Sequence, residues 1–244
     1  MVKKRLDSLL VEKQLTNSRE EAKRLILAGK TLVNGVALSK AGSLINEESD
    51  IQLKEKGHPF VSRGGLKLAG ALKEFNLKVK GLTSLDAGAS TGGFTDCLLQ
   101  NGVKKVFAVD VGYGQLAWKI RNDPRIVTIE KKNVRYLTVS DLGEAVDLAV
   151  VDLSFISVKR VLHPIISVLK RGGRIIALIK PQFEVGKGEV GKGGIVRDTK
   201  KHIKVLNDIS RFAKDAGLDV HGHIQSPIAG AKGNIEYFFL FALN

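Results

Sequence analysis

The segment from residue 85 to residue 94 reads Leu85-Asp86-Ala87-Gly88-Ala89-Ser90-Thr91-Gly92-Gly93-Phe94. It overlaps the end of an apolar stretch, residues 82–87, and leads into a stretch with helical periodicity. Glycines in a strand-to-helix turn let the backbone approach a ligand closely, and the start of the helix offers unpaired N–H groups to an anion. The segment therefore predicts a cofactor site, and by itself it leaves open a nicotinamide cofactor, a nucleotide or S-adenosylmethionine (SAM).

Three details of the surrounding sequence favour SAM. The glycines lack the G-x-G-x-x-G spacing, Asp86 lies just before the first glycine, and Asp110 closes the next apolar segment. A carboxylate at that place accepts hydrogen bonds from ribose hydroxyls, a feature that would also suit NAD. Asn133, after the third apolar segment, is placed to meet a nucleobase edge or is an ordinary turn residue. The candidate cofactor-binding residues are Asp86, Gly88, Ser90, Thr91, Gly92, Gly93, Phe94, Asp110, Asn133 and Asp152.

Short apolar segments alternate with helical ones through the rest of the chain. The predicted strands cover residues 82–87, 106–109, 126–129, 148–151, 175–179, 218–224 and 237–243. Strands that alternate with helices are typical of a parallel sheet covered on both faces. The predicted fold class is therefore α/β, with a Rossmann-like, doubly wound and mostly parallel sheet.

Two charged residues end predicted buried strands. Asp152 follows the fourth strand and Lys180 follows the fifth. Ligands of open α/β sheets bind at the carboxyl ends of the strands. Because a buried charge is costly without a partner, the two residues form either part of a catalytic site or a structural ion pair.

The first quarter of the chain has a different pattern. An apolar stripe of helical period is followed by a second helix that Asn17 or Ser18 can cap. Asn34-Gly35 then predicts a tight hairpin, since these residues tolerate the positive φ angles of a type I′ turn. Thereafter a stretch with Gly57 and Pro59 has no periodicity. The predicted organisation is a small α+β domain, a linker and a large α/β domain, at residues 1–55, 56–62 and 63–244.

The composition constrains partners and location. The chain carries 39 Lys and Arg against 25 Asp and Glu, a formal net charge of +14 at pH 7. Such a surplus predicts a polyanionic partner, either nucleic acid or an anionic membrane surface. The single cysteine excludes an internal disulfide, and no metal-ligand spacing is present. Since the amino terminus lacks the apolar core of a secretory signal, we expect a cytoplasmic protein without a metal.

A set of residues in the small unit occurs in a characteristic order: Arg5-Leu6-Asp7, Leu10, Ser18-Arg19, Ala22, Ile26, Gly29 and Val33-Asn34-Gly35. This order resembles the S-four RNA-binding module first known from a small-subunit ribosomal protein. The resemblance implies that basic residues of the second helix and the following turn contact RNA phosphates. The RNA-binding candidates here are Arg5, Arg19, Lys23, Arg24 and Lys30, although a solvated helix face would also account for them.

A second set lies in the large unit: Ser62-Arg63-Gly64-Gly65-Leu66-Lys67-Leu68, the segments around Asp152 and Lys180, residues 192–198 and residues 233–237. Together they resemble the haemolysin-A-like TlyA family, whose catalytic domain is similar to FtsJ-type ribose methyltransferases. The resemblance implies a catalytic tetrad at Lys67, Asp152, Lys180 and Glu236. Further RNA-binding candidates are Arg63 and three basic residues of the glycine-rich segment 183–197, Lys187, Lys192 and Arg197. Asn133 stands where some FtsJ-type enzymes have Asp.

The resemblance implies SAM-dependent 2′-O-methylation of a ribose in RNA. It narrows the target to cytidine of 16S or 23S ribosomal RNA, or of both, with ribosomal subunits as partners. Within the tetrad, Lys180 can take the hydroxyl proton only in its neutral form, and Asp152 would orient it. The many glycines of residues 183–197 predict a loop without a fixed conformation in the free protein.

Two other functions stay open at this point. One is a membrane-lytic protein, as the haemolysin name of the family implies, but no signal or spanning segment supports it. The other is a non-catalytic RNA-binding protein of ribosome assembly, which the complete tetrad disfavours. SAM binding would distinguish the methyltransferase from the membrane-lytic protein, and methyl transfer would distinguish it from the assembly protein.

Overall fold

The computed structural model describes residues 2–53, 59–186 and 188–244. The chain divides into two compact units, Met1–Pro59 and Phe60–Asn244. This division falls inside the predicted linker. Residues 56–58 of that linker lie outside the described residues, while Phe60 and Val61 pack against the core of the larger unit. Each unit has a hydrophobic core of its own.

The described part of the smaller unit contains two helices and five short strands. They are β1 Lys3–Arg5, α1 Leu6–Glu12, α2 Arg19–Leu27, β2 Thr31–Val33, β3 Val36–Leu38, β4 Leu44–Asn46 and β5 Ile51–Leu53. Of the two possible caps of α2, Ser18 is the one used, and its hydroxyl accepts a hydrogen bond from the Glu21 N–H at 3.2 Å. The core is formed by apolar residues of both helices and of β2 and β5: Leu6, Leu9, Leu10, Ala22, Ile26, Val33 and Ile51.

The predicted hairpin between β2 and β3 is confirmed. Asn34 has a φ of 50° and Gly35 a φ of 80°, so both turn residues are in the left-handed region that a type I′ turn requires. β2 lies between β3 and β5 in a three-stranded antiparallel sheet, and β1 pairs with β4.

The larger unit contains the predicted strands. They are β6 Thr83–Ala87, β7 Lys105–Val109, β8 Ile126–Ile129, β9 Val146–Val151, β10 Leu169–Ile179, β11 Leu218–Gln225 and β12 Tyr237–Leu243. The α-helices are α3 Gly64–Glu74, α4 Gly93–Gln100, α5 Trp118–Arg121, α6 Val139–Leu142, α7 Lys159–Ser167, α8 Pro181–Glu184 and α9 Thr199–Asp215. Two short 3₁₀ turns cover Val134–Tyr136 and Ala231–Gly233.

These strands form one sheet in the order β8-β7-β6-β9-β10-β12-β11. The five strands from β8 to β10 are parallel, whereas β12 runs antiparallel to both of its neighbours. The doubly wound, mostly parallel sheet that the sequence predicts is therefore confirmed. The reversed strand was not part of that prediction, because periodicity reports burial and not direction.

The aromatic run at the end of the chain fills both faces of the sheet. Phe239 and Phe241 belong to the core on one face, and Phe238 and Leu240 belong to the core on the other. A strand that is covered on both faces needs apolar residues at every position, which explains why this segment shows no alternation.

The strand order reverses between β6 and β9, since the chain proceeds to one side through β7 and β8 and to the other side through β10. In open α/β sheets this switch point forms the ligand-binding crevice at the carboxyl ends of the strands. Here the two strand ends are joined, because the Asp152 N–H donates to the Ala87 carbonyl at 3.0 Å. The residues that follow Ala87 and Val151 therefore define the candidate site.

Candidate functional site

The glycine-rich turn after β6 passes directly over the end of β9. Gly88 has a φ of 93°, and a Cβ atom at this position would collide with the carbonyl oxygen of Asp152. Its N–H donates to the Val109 carbonyl at 2.9 Å, so the turn is also fixed to β7. Only glycine satisfies both the positive φ and the close approach.

Two cavities meet at this turn. The larger, of about 900 Å³, extends past the ends of β7, β8 and β9, and the smaller, of about 310 Å³, lies between the turn and α3. Gly88, Ser90 and Asp152 line both. A combined cavity of this size is sufficient for a nucleoside-type cofactor and part of a second substrate.

Most of the predicted cofactor residues lie on these walls. Asp110 and Asn133 line the larger cavity, while Thr91, Gly93 and Phe94 line the smaller. Two predicted residues, Asp86 and Gly92, line neither cavity.

Gly92 belongs to the packing of the turn. It has a φ of 92°, and a Cβ atom there would lie 2.9 Å from Leu116 and 3.3 Å from Ile120. The need for glycine at this position therefore comes from the left-handed backbone and from these two side chains.

Asp86 is completely buried beneath the turn. Its Oδ2 accepts a hydrogen bond from the Thr95 hydroxyl at 2.6 Å, and its Oδ1 has no partner among the described residues. Burial, together with the nearby Asp152 and Asp110 carboxylates, raises the pKa of Asp86 to about 7. The structure thus places Asp86 as a brace between β6 and α4, behind the turn and not on the cavity wall.

Asp110 connects the two loops at the cavity floor. Its Oδ2 accepts from the Ser90 N–H at 2.8 Å, and its Oδ1 accepts from the Gly112 N–H at 2.7 Å. Because each carboxylate oxygen can accept a second hydrogen bond, the group retains capacity for ribose hydroxyls.

Asn133 has a structural role at its turn. Its Oδ1 accepts from the Arg135 N–H at 3.0 Å and caps the 3₁₀ turn Val134–Tyr136. The side chain nevertheless lines the larger cavity, and its amide has no partner among the described residues. The two interpretations of Asn133 are therefore compatible, and the nucleobase contact stays a prediction.

The four residues of the predicted tetrad form two ion pairs. Lys180 Nζ lies 2.5 Å from Asp152 Oδ1, and it also donates to the Ser154 hydroxyl at 3.0 Å. Lys67 Nζ lies 2.5 Å from Glu236 Oε2. Lys67 and Asp152 line the same small cavity.

Burial and packing shelter both pairs. The side chains of Lys180 and Lys67 are only 11% and 12% exposed, and Glu236 is 2% exposed. Gly230 packs directly against the Glu236 carboxylate and leaves no room for a Cβ atom. Lys67 donates a hydrogen bond to Glu236, whereas Lys180 and Asp152 are joined as an ion pair. The two ammonium groups are therefore held in defined positions, Lys67 on the wall of the smaller cavity and Lys180 beside Asp152.

One residue of this region was missed by the sequence analysis. Phe155, four residues after the end of β9, has a φ of 64° and is 90% exposed, although its ring lies 5.1 Å from that of Phe183. Glu184 fixes the loop, accepting from the Ser157 hydroxyl at 2.6 Å and the Val158 N–H at 2.7 Å. An aromatic residue so soon after a strand-ending carboxylate is the signal that could have indicated it.

The glycine-rich loop is more ordered than its composition predicts. Asn234 Oδ1 accepts from the Val196 N–H at 3.3 Å, Asn234 Nδ2 donates to the Gly194 carbonyl at 2.9 Å, and His202 bonds the Val196 carbonyl at 2.8 Å. For residues 191–197 the prediction of no fixed conformation is therefore wrong, because side chains distant in sequence hold this segment. Lys187 lies outside the described residues.

The other predicted RNA contacts are distributed over both units. Arg63 is exposed, lines the smaller cavity and donates to the Ala229 carbonyl at 3.2 Å. Lys192 and Arg197 are exposed on the glycine-rich loop. In the smaller unit Arg19, Lys23 and Arg24 lie on α2, Lys30 follows it, and Arg5 lies on β1.

The doubly wound sheet with a reversed β12, a glycine turn at the switch point and an acid after β7 defines the methyltransferase class of Rossmann-like folds. A SAM-dependent methyltransferase from Listeria monocytogenes shares this fold at 16% identity and a TM-score of 0.55, over 75% of this chain and all of that one.

Two protein families match separate parts of the chain. The FtsJ-like methyltransferase family matches residues 60–243, and the S4 domain matches residues 4–51. The chain thus belongs to the FtsJ-like methyltransferase family, as a haemolysin-A-like TlyA member with an amino-terminal S4 domain.

Relatives extend along nearly the whole chain. The 16S/23S rRNA (cytidine-2′-O)-methyltransferase TlyA of Mycobacterium tuberculosis is 45% identical over 96% of this chain and 88% of its own length. Hemolysin A of Brachyspira hyodysenteriae is 42% identical over 98% of this chain and 100% of its own. The structure of a haemolysin-named protein of Streptococcus thermophilus has a TM-score of 0.78 and 44% identity, and covers 100% of this chain and 90% of that one.

The described residues contain neither a membrane-spanning helix nor a cluster of metal ligands. None of their helices combines the length and hydropathy needed to cross a membrane. No group of three or more His, Cys, Asp or Glu side chains in that part of the chain is arranged to hold a metal ion.

The raised pKa of Asp86 predicts a pH-dependent stability. Between about pH 4 and pH 7 the folded protein retains this proton while the unfolded chain releases it, so the free energy of unfolding falls as the pH rises through this window. Asp86→Asn removes this titration, so the free energy of unfolding should depend less on pH. For a pKa shift of this size the pH-dependent contribution that is lost amounts to at most roughly 4 kcal/mol. Urea unfolding between pH 4 and pH 8 measures it. The exposed Asp219→Asn is the matched control, and equal profiles for Asp86→Asn and the unsubstituted protein would refute the prediction.

Proposed function

We propose that this protein transfers the methyl group of SAM to a ribose 2′-hydroxyl of ribosomal RNA, with a cytidine as the target. The observation that carries the proposal is the presence of two lysine–carboxylate ion pairs, Lys180 with Asp152 and Lys67 with Glu236, of which Asp152 and Lys67 line the same cavity. The nucleotide and the RNA are inferred from the relative that is named for both.

The two cavities support SAM as the cofactor. Asp110 retains acceptor capacity for its ribose hydroxyls, Asn133 offers an amide to its base, and the turn from Gly88 to Gly93 would hold its amino-acid end. Ser90, Thr91 and Phe94 complete that wall. The bound cofactor supplies an electrophilic methyl group on a positively charged sulfur, and the carboxylates of Asp110 and Asp152 provide a complementary charge.

The residues of this chain would act mainly by positioning. Asp152 and Ser154 line the larger cavity and hold Lys180 Nζ beside it, where in its neutral form Lys180 can accept the proton of the ribose hydroxyl. Glu236 holds Lys67 Nζ on the same wall, where its charge can bind the neighbouring phosphate or the developing oxyanion. Fixing the hydroxyl in line with the methyl group accounts for much of the expected acceleration.

Phe155 suits the role of a platform for the target base. The Phe155 ring is 90% exposed at the mouth of the larger cavity, so it is accessible for stacking on a nucleobase. Enzymes that modify a nucleotide within folded RNA take it out of its stack and compensate the loss with aromatic contacts. Glu184 and the Phe183 ring hold the Phe155 loop in place.

Both units would contribute to the grip on RNA. We propose that the domain of residues 1–55 binds RNA phosphates and that residues 63–244 carry out the transfer, with residues 56–62 as the linker. The small domain supplies Arg5, Arg19, Lys23, Arg24 and Lys30, and the large domain supplies Arg63, Lys187, Lys192 and Arg197. Affinity should then fall with salt, with a log–log slope of roughly 0.7–0.9 per neutralised phosphate.

The test of this function is incubation of the protein with labelled SAM and ribosomal subunits that lack 2′-O-methylation, followed by mapping of the methylated positions. We expect label at a cytidine ribose, with unlabelled NAD having no effect on the transfer. Label on a base or on protein would overturn the proposal. RNA binding without any label would indicate the non-catalytic assembly factor instead.

Lys180→Ala should reduce methyl transfer by at least about a hundredfold, which is the lower end of the contribution of a general base. Lys180→Arg should be as inactive, since arginine does not release its proton. The matched control is Lys170→Ala, because Lys170 pairs with Asp147 at 2.7 Å between the same two strands, at their opposite ends. Single-turnover rates with saturating RNA measure the effect, and a fully active Lys180→Arg would exclude the base role.

Phe155→Gly should weaken productive RNA binding while the backbone, already at a positive φ, remains unstrained. We expect a rise in the KM for RNA of about tenfold, in line with the loss of one stacking contact, and an unchanged affinity for SAM. Phe155→Tyr keeps a ring and should retain most activity. Equal KM values for Phe155→Gly and Phe155→Tyr would rule out a stacking role.

A further inference from the structure

A buried carboxylate in the smaller unit joins two arginines. Asp7 is 0% exposed, and its Oδ2 accepts hydrogen bonds from Arg5 Nη2 and from Arg19 Nη2, each at 3.0 Å. Its Oδ1 accepts a third from Arg5 Nε at 3.0 Å. The two guanidinium groups come from different elements, β1 and α2, and Asp7 is the group that they share.

The geometry restricts both arginines. Arg5 meets the carboxylate through two parallel N–H donors, the bidentate form that also fixes the plane of the guanidinium. The loop at Gly42 lies next to the Arg5 guanidinium, since a Cβ atom added at Gly42 would be 3.4 Å from Arg5 Nη1. Asp7 itself is fixed through its backbone, since its N–H donates to the Ala41 carbonyl at 3.1 Å. Both ends of the contact are therefore held before any ligand arrives.

Both guanidinium groups remain available for a ligand. The side chains of Arg5 and Arg19 are 49% and 51% exposed, and each guanidinium has N–H donors that Asp7 does not use. Because both Nη2 atoms lie 3.0 Å from one oxygen, they are at most about 6 Å apart. One phosphate group can bridge such a distance with two of its oxygens.

The negative charge of Asp7 does not itself favour the binding of a polyanion. A carboxylate beneath two arginines removes one of the two positive charges that this surface would present to a polyanion. The hydrogen bonds from Arg5 and Arg19 hold the pKa of Asp7 well below its usual range, so the group stays ionised. What Asp7 can contribute to RNA binding is therefore the positions that it gives to the two arginines.

We propose that Asp7 is a positioning residue that sets Arg5 and Arg19 as one fork for a single RNA phosphate. The proposal rests on the proposed function, in which the small domain binds RNA, and it assigns a specific device to that domain. Arginines that are already ordered lose less conformational entropy on binding than free ones, which favours a defined phosphate over a diffuse polyanion.

The decisive comparison is between two substitutions that each remove one negative charge from the same unit. Asp7→Asn frees the arginines, and Glu47→Gln releases one partner of Lys4, whose Nζ lies 3.0 Å from Glu47 Oε1. If attraction alone mattered, both variants would bind RNA more tightly. We expect Asp7→Asn to bind unmodified 16S and 23S ribosomal RNA transcripts about tenfold more weakly, the loss of one charge-assisted contact, and Glu47→Gln to bind at least as well as the unsubstituted protein.

A second variant leaves the buried group untouched. Arg19→Lys keeps the charge and the exposed position but removes the guanidinium, so it should lose nearly as much affinity as Arg19→Ala. In the Arg19→Ala background, Asp7→Asn should have a much smaller further effect, because the two residues act through one contact. Circular dichroism melts identify a variant whose small domain fails to fold. If Asp7→Asn fails to fold, the RNA affinity of Arg19→Lys alone tests the proposal.

The outcomes separate this proposal from the proposed function. Tighter binding by a folded Asp7→Asn, or full affinity of Arg19→Lys, would overturn the fork while methylation by the unsubstituted protein would still stand. RNA binding that depends on Asp7 and Arg19 without any methyl transfer would support the fork and reject the enzyme function. A chain that does not bind ribosomal RNA at all would refute both.

Discussion

The close approach of β6 and β9 at their carboxyl ends is the constraint on which the candidate site depends. Gly88 lies against the carbonyl of Asp152, and the Asp152 N–H bonds the carbonyl of Ala87. A side chain at position 88 would separate the two strand ends. Because they meet, the glycine turn and the Asp152 carboxylate form the walls of both cavities, while Asp110 and Lys180 reach the same edge from neighbouring strands on either side.

Several buried carboxylates fix the positions of other groups in this basic protein. Asp86 braces the start of α4 beneath the turn, Glu236 holds Lys67, and Asp7 joins two arginines. Asp96, 2% exposed, accepts from the Val61 N–H at 2.8 Å and so fixes the segment that leads into α3. A buried carboxylate without a partner is costly, and each of these accepts a hydrogen bond from the group whose position it fixes.

The arrangement of charge also separates two kinds of surface. At the cavity, three carboxylates lie close enough that Asp152 and Asp110 contribute to the raised pKa of Asp86. The two sheltered lysines are paired with Asp152 and Glu236, so their charges are compensated at this site although the chain has a formal net charge of +14. Such a centre suits the cationic cofactor that we propose, while the exposed basic residues of both units suit a polyanionic substrate.

The sequence alone determined the fold class, the strands and the hairpin at Asn34-Gly35, because periodicity and turn chemistry are local properties of the chain. It also supplied the tetrad residues, although only through a family resemblance. Tertiary structure decided what these residues touch. It put Asp86 and Gly92 behind the turn, paired Lys67 with Glu236 across 169 positions, exposed Phe155, and ordered residues 191–197 through Asn234 and His202. These outcomes depend on contacts between residues far apart in sequence, which no local pattern records.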